Sequence, residues 1–219
     1  MKENDVRHPA IMGPHILDVC RRFLPSERCR ILDPFAGTGT TALSLPEHDV
    51  VGVEIEGKWA SQHPNTICGD CLNVIPTLGK FDVVLTSPCY GNRMADDFIS
   101  KDNSKRITYR HCLGEPLSVG TSANLYFGKK NKKYENFHES VWGQCVDCLK
   151  VNGLFILNCK DFIAAGEVKE VTKWHVDCLK NLGMKEVGRE KVHSKGMRLG
   201  ANRGARVDYE NIVCLKKLS

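Results

Sequence analysis

No apolar run in the sequence approaches the roughly 20 residues needed to cross a bilayer. The opening MKENDVRHPA has no apolar core of the kind that directs secretion. Neither a membrane protein nor a secreted one is expected, and the expected compartment is the cytoplasm. Repeats and low-complexity tracts are lacking too: the 19 glycines and 9 prolines follow no period. What is there is ordinary for a globular chain, with 42% hydrophobic and 26% charged residues, which excludes a mostly disordered one. A length of 219 residues suits one α/β domain over 1–219 with a sizeable core.

Eleven cysteines, an odd number, point to thiols in a reducing compartment rather than a disulfide framework. Two C-x-x-C pairs occur, Cys68/Cys71 and Cys145/Cys148. They read as small buried apolar residues, and no metal is expected.

The 31 basic residues exceed the 26 acidic ones by only five. Residues 93–133 hold nine Lys/Arg and four Asp/Glu, and residues 189–206 hold six and one. These two segments carry the whole surplus and leave the rest of the chain net acidic. Together they suit a surface for an anionic partner.

Strand-like and helix-like periods alternate along the chain. Pro14–Leu24 reads as a helix with proline in its first turn. Strands are expected at Arg30–Asp33, Val50–Ile55, Thr66–Asp70 and Asp82–Thr86, with helices at Gly39–Leu45 and Lys58–His63 between them. Residues 91–133 show no period and read as an insertion. Tyr134–Lys150 has helical spacing, Leu154–Asn158 follows a Val-Asn-Gly turn as a strand, and Val168–Leu182 reads as an amphipathic helix. Lys185–Val192 and Glu210–Lys216 look like a closing antiparallel pair.

The sharpest segment is Asp33-Pro34-Phe35-Ala36-Gly37-Thr38-Gly39-Thr40-Thr41, between a strand and a helix. Close glycines permit a tight turn, and a helix start offers free N–H donors. No Gly-Lys-Ser/Thr follows, so this is not a triphosphate-binding loop of that type. Glu54, 21 residues after Asp33, can accept both hydroxyls of a ribose, and Asp70 can accept from an adenine amino group. Acids at three successive strand ends point to one crevice for a nucleoside-type cofactor. After the fourth strand comes Ser87-Pro88-Cys89-Tyr90. The Ser87 hydroxyl and the Pro88 carbonyl can accept from an exocyclic amino group, and Tyr90 can stack on a planar base.

These segments resemble the DNA amino-methyltransferases. DPFAGTGTT is similar to their motif I, VGVEIEGKW to motif II, CGDCLNVI to motif III and TSPCY to catalytic motif IV. HPAIMGPHIL, with His8 and Pro9, resembles motif X. The match covers roughly residues 8–92, in the γ-like motif order. The resemblance implies a Rossmann-like class I methyltransferase: a seven-stranded, mostly parallel sheet with an antiparallel last strand. It implies S-adenosylmethionine held by Asp33, Phe35, Ala36, Gly37, Thr38, Gly39 and Thr40, with Glu54 on the ribose. Asp70 would hold the adenine amino group, Ile55 and Cys71 would flank the ring, and Ser87 would border the cofactor. The target base would be flipped, its amino group held by Ser87 and Pro88 and its ring stacked on Tyr90, in a prokaryote or a phage-infected host. A serine at the start of motif IV favours N4 of cytosine over N6 of adenine.

One departure bears on the chemistry. Motif IV has a second proline where this chain has Cys89, and Pro-Cys is also the nucleophile motif of cytosine C5-methyltransferases. Glu135-Asn136 and Arg203/Arg206 offer that reading its other parts. RNA or protein glutamine as the substrate, and an inactive binding subunit, are further alternatives.

The chain has little room for a separate recognition domain, so the basic segments are expected to contact double-stranded DNA, as a monomer or a homodimer. Asn92, Arg93, Arg106, Arg110 and Lys130 lie in the first. Lys195, Arg198, Arg203 and Arg206 lie in the second. Lysines suit phosphates, and some arginines can read base edges.

Overall fold

The computed structural model describes residues 6–91, 108–194 and 206–218. A seven-stranded sheet forms its centre. Helix α1 (Pro14–Arg21) precedes β1 (Arg30–Asp33), and α2 (Thr40–Ser44) leads to β2 (Asp49–Glu54). Short α3 (Gly57–Ala60), β3 (Thr66–Cys68) and α4 (Cys71–Val74) follow, then β4 (Phe81–Thr86). Beyond come α5 (Tyr109–Leu113), α6 (Lys133–Cys148) and β5 (Leu149–Cys159). A hairpin of β6 (Phe162–Ala164) and β7 (Glu167–Lys169) precedes α7 (Val171–Asn181). The chain closes with β8 (Met184–His193) and β9 (Tyr209–Lys217).

The strand order is β3-β2-β1-β4-β5-β9-β8. Strands β1 to β5 pair in parallel, and β9 lies antiparallel between β5 and β8. The expected seven-stranded architecture with an antiparallel last strand is the one observed. The chain runs outward from β1 in two directions, through β2 to β3 and through β4 to β5. Such a switch point leaves a crevice at the carboxyl ends of the strands.

Side-chain alternation feeds two apolar layers. Ile31, Val83, Leu85 and Ile156 pack with Ile16, Leu17 and Cys20 of α1 on one face. Leu32, Val84, Phe155 and Leu157 pack with Trp142, Cys145 and Leu179 on the other. These strands are apolar throughout because both of their faces are covered.

Several boundaries differ from the sequence reading. Helix α1 stops at Arg21, before the expected Leu24. The Val-Asn-Gly segment is no turn: it is an irregularity within β5, where the pairing with β4 slips and Asn152 takes φ 64°. Helix α7 begins at Val171, because residues 167–169 pair as β7 with β6. Strand β3 ends at Cys68, so Asp70 caps α4 rather than closing a strand. Among the described residues no helix is long and apolar enough to cross a membrane. None of the described His, Cys, Asp or Glu residues group in threes as a metal site would require. Cys71, Cys145 and Cys148 are buried and Cys68 is exposed.

Candidate active site

A cleft of about 620 Å³, part of it open to solvent, lies at the carboxyl ends of β1, β2 and β4. Its walls include His8, Phe35, Glu54, Ile55, Asp70, Cys71, Ser87 and Cys89 from the expected set. Pro9, Asp33, Pro88, Tyr90 and residues 36–40 do not line it.

Asp33 has a different task from the one expected. It is 3% exposed and accepts from the Thr41 hydroxyl (2.6 Å), the Thr86 hydroxyl (2.9 Å) and the Phe35 amide (3.2 Å). Burial pushes its carboxyl above the ordinary range, and the three donors oppose that shift. Asp33 therefore ties the ends of β1 and β4 to the start of α2 and is spent on the scaffold. The turn that follows is fastened to β2: the Gly37 amide donates to Glu54 (2.9 Å). Gly37 and Gly39 take φ of +55° and +79°, and a Cβ on Gly39 would lie 2.4 Å from that of His63. Backbone shape and packing both demand glycine there.

Glu54 also accepts from the Glu56 amide (2.9 Å). Each carboxylate oxygen thus takes one backbone donor and keeps a second lone pair. Burial pushes Glu54 up to about 7, with its two backbone donors opposing and the neighbouring Glu56 and Asp33 adding repulsion. Asp70 caps α4 through Oδ1, on the Leu72 amide (3.0 Å). Its Oδ2 faces Gly120, where a Cβ would sit 3.6 Å away and 3.8 Å from Ile55. The cleft thus combines two outlying carboxylates with an apolar slot. His8 packs on Trp59 with ring centroids 4.3 Å apart, and burial holds its pKa down near 4, so it is a neutral wall.

The described part of the insertion does something the sequence did not suggest. Residues 120–123 and Tyr109 roof the cleft. The Ser118 amide and hydroxyl both donate to buried Glu56, each at 2.9 Å, and Glu115 pairs with Lys58 at 2.8 Å. Arg110 and Lys130 are exposed and Arg206 is half-buried. Asn92, Arg93, Arg106, Lys195, Arg198 and Arg203 lie outside the described residues.

At the motif IV turn the Ser87 hydroxyl lies 3.0 Å from that of Tyr90. The Tyr90 hydroxyl donates to Glu210 at 3.4 Å. Asn158 donates to Glu210 (2.8 Å) and approaches Ser87 and Tyr90 at 3.4 Å. The Ser194 hydroxyl completes the cluster on Glu210 (2.7 Å). Asn158 and Glu210 escaped the sequence reading because only sheet order brings β5 and β9 beside this turn. Tyr90 is anchored by its hydroxyl and does not face the cleft, so here it orients Ser87 instead of offering a stacking surface.

Cys89 differs from a nucleophilic cysteine. Burial outweighs its contacts with Ser122 and Tyr109 and pushes the thiol up, away from the reactive thiolate. Glu135 does not reach the cleft; it accepts from the Gly128 amide (2.9 Å) in the first turn of α6. Cys89→Ala is expected to retain methyl transfer within about threefold, since only a weak thiol hydrogen bond is lost. Single-turnover assays check this, and complete loss would restore the covalent mechanism.

No protein-family profile matches the chain, and no curated protein sequence matches it. Solved structures do. A methyltransferase from Pyrococcus furiosus superposes with a TM-score of 0.56 at 14% identity, over 97% of this chain and 88% of that one. The N-methyltransferase NodS from Bradyrhizobium japonicum WM9, in complex with S-adenosyl-L-homocysteine, gives 0.55 at 10% identity, over 94% and 86%. TrmN from Thermus thermophilus gives 0.53 at 13% identity over 94% of this chain, which spans about half (49%) of TrmN. The fold is that of the class I methyltransferases.

Proposed function

We propose that the protein transfers a methyl group from S-adenosylmethionine to the exocyclic amino group of a flipped base in double-stranded DNA, N4 of cytosine before N6 of adenine. The observation that carries this reading is a single cleft lined by Glu54, Asp70 and Ser87. Acceptors for a nucleoside and the hydroxyl of the motif IV turn line the same cleft. The donor set fits the cofactor: the open lone pairs of Glu54 suit a ribose diol, and Asp70 Oδ2 beside Ile55 and Cys71 suits an adenine edge. When bound, the cofactor supplies an electrophilic methyl group.

This chain's residues then have three tasks. The Ser87 hydroxyl, which lines the cleft, accepts from an amino hydrogen. That favours a tetrahedral nitrogen as positive charge develops, because an amine conjugated into a base is otherwise a poor nucleophile. The Tyr90–Asn158–Glu210 cluster holds Ser87 in place, which supplies orientation. Residues 120–123 cover part of the cleft and reduce the water around the reacting atoms. The protonated Cys89 thiol adds no covalent step. The basic segments support a nucleic acid over a protein substrate, and contacts from 93–133 and 189–206 are assigned to DNA.

Incubation of the full chain with labelled S-adenosylmethionine and unmethylated DNA, beside an RNA sample, tests the assignment. Label in DNA supports it. Label in RNA alone would replace the substrate, and label in neither would leave a binding protein.

A further inference from the structure

Three hydrogen bonds in series connect the core to the carbonyl of Cys89. The Trp142 indole donates to Nδ1 of His175 at 2.9 Å. Nε2 of His175 lies 2.9 Å from the Tyr134 hydroxyl. That hydroxyl donates to the Cys89 carbonyl at 2.6 Å. The proton positions follow from chemistry. An indole N–H only donates, so Nδ1 accepts and a neutral ring carries its proton on Nε2. A carbonyl only accepts, so the one proton of Tyr134 goes to Cys89 and its oxygen receives the His175 proton. No member can reverse without breaking a bond to a donor-only or acceptor-only partner. All three rings are completely buried. Burial, with His138 beside it, holds His175 well below its ordinary pKa, which keeps the ring in the neutral form that the chain of bonds needs.

We propose that Trp142, His175 and Tyr134 form a positioning relay that fixes the Cys89 peptide and, through it, the turn facing the substrate's amino group; this rests on the function proposed above. The carbonyl of Cys89 shares a peptide plane with the nitrogen of Tyr90. Pinning that plane sets where Tyr90 places its hydroxyl, 3.0 Å from Ser87. Within the turn, Pro88 has its φ locked by its ring, whereas Cys89 has no such lock. A second proline would lock φ of residue 89, whereas the Tyr134 bond holds the carbonyl, whose direction ψ sets. Tyr134 and Trp142 stand on α6 and His175 on α7, so two helices behind the sheet are committed to one carbonyl at its edge.

Tyr134→Phe removes one hydroxyl and keeps the ring. The single-turnover rate of methyl transfer to unmethylated DNA is expected to fall about tenfold, as for one buried hydrogen bond, while the calorimetric Kd for S-adenosylmethionine stays within about twofold. His175→Gln, whose amide can accept from Trp142 and donate to Tyr134, should keep more rate than His175→Leu. Parallel losses of rate, cofactor affinity and melting temperature from Tyr134→Phe would overturn the proposal. If Tyr134→Phe does not fold, the two His175 variants decide. Nitrogen-15 NMR of the unliganded wild-type protein gives a readout independent of activity. His175 should show only the Nε2–H tautomer from pH 5 to 8, and a mixed or protonated ring would end the relay. Absence of any methyl transfer by the wild type would sink the assigned function, while the NMR result would still decide whether the relay exists.

Discussion

Glu54→Ala should weaken S-adenosylmethionine binding by about 100-fold, from the loss of two charge-assisted hydrogen bonds of roughly 1.5 kcal/mol each. The substitution also strips an acceptor from the Gly37 and Glu56 amides, so the glycine turn loses its fastening to β2. Calorimetry on the purified variant reads the effect directly. Glu54 carries a pH signature as well. Its carboxyl is raised from 4.5 to about 7, chiefly by burial. Hydroxyl donors favour the ionised form, so ligand binding pulls that pKa down and releases a proton. Affinity should therefore rise between pH 6 and 8, and Glu54→Gln should flatten the rise. For the free protein the sign reverses. A raised folded pKa means that the fold binds the proton more tightly than the unfolded chain does. Glu54's contribution to stability is then present below 4.5 and lost as pH climbs towards 7. An affinity that stays flat across this window in the wild type would remove Glu54 from the cofactor site.

Ser87→Ala should lower the rate of methyl transfer by about 100-fold, in the range seen when one preorganised group is removed from a developing charge. Cofactor affinity should move less than about threefold, because the ribose and adenine acceptors are elsewhere. The loss is specific to the turn: Ser87 is the one member of the Tyr90–Asn158–Glu210 cluster that also lines the cleft. Single-turnover kinetics beside cofactor titration separate the two quantities. Equal damage to both would mean that Ser87 serves the cofactor and not the acceptor base.

Much of this site was legible in the chain because parallel strands buried on both faces leave short apolar runs. Arg30–Asp33 was placed to the residue, and Phe81–Thr86 to within one. The glycine turn and motif IV follow directly from those strands. What could not be read has physical causes. Asp33 and Asp70 sit where acids are expected, yet one is consumed by Thr41 and Thr86 and the other divides itself between a helix cap and the cleft. The β6–β7 hairpin has three residues a side and no fully buried position, so no period marks it. Tyr134, His138 and His175 look polar in a helical pattern but are fully buried, since neighbouring rings and hydrogen bonds take up their polar character. Glu210 lies 120 residues from Tyr90 and meets it only because β9 inserts between β5 and β8. The described part of the insertion expected to contact DNA walls the cleft, a placement that composition cannot reveal.

The proposed reaction is methyl transfer to an exocyclic nitrogen without a thiol nucleophile. The most direct test is nucleoside mass spectrometry of unmethylated DNA after incubation with the protein and isotopically labelled S-adenosylmethionine. Labelled N4-methylcytosine, or N6-methyladenine, is expected, with the same product from Cys89→Ala. Labelled 5-methylcytosine that disappears in Cys89→Ala would contradict the proposed reaction.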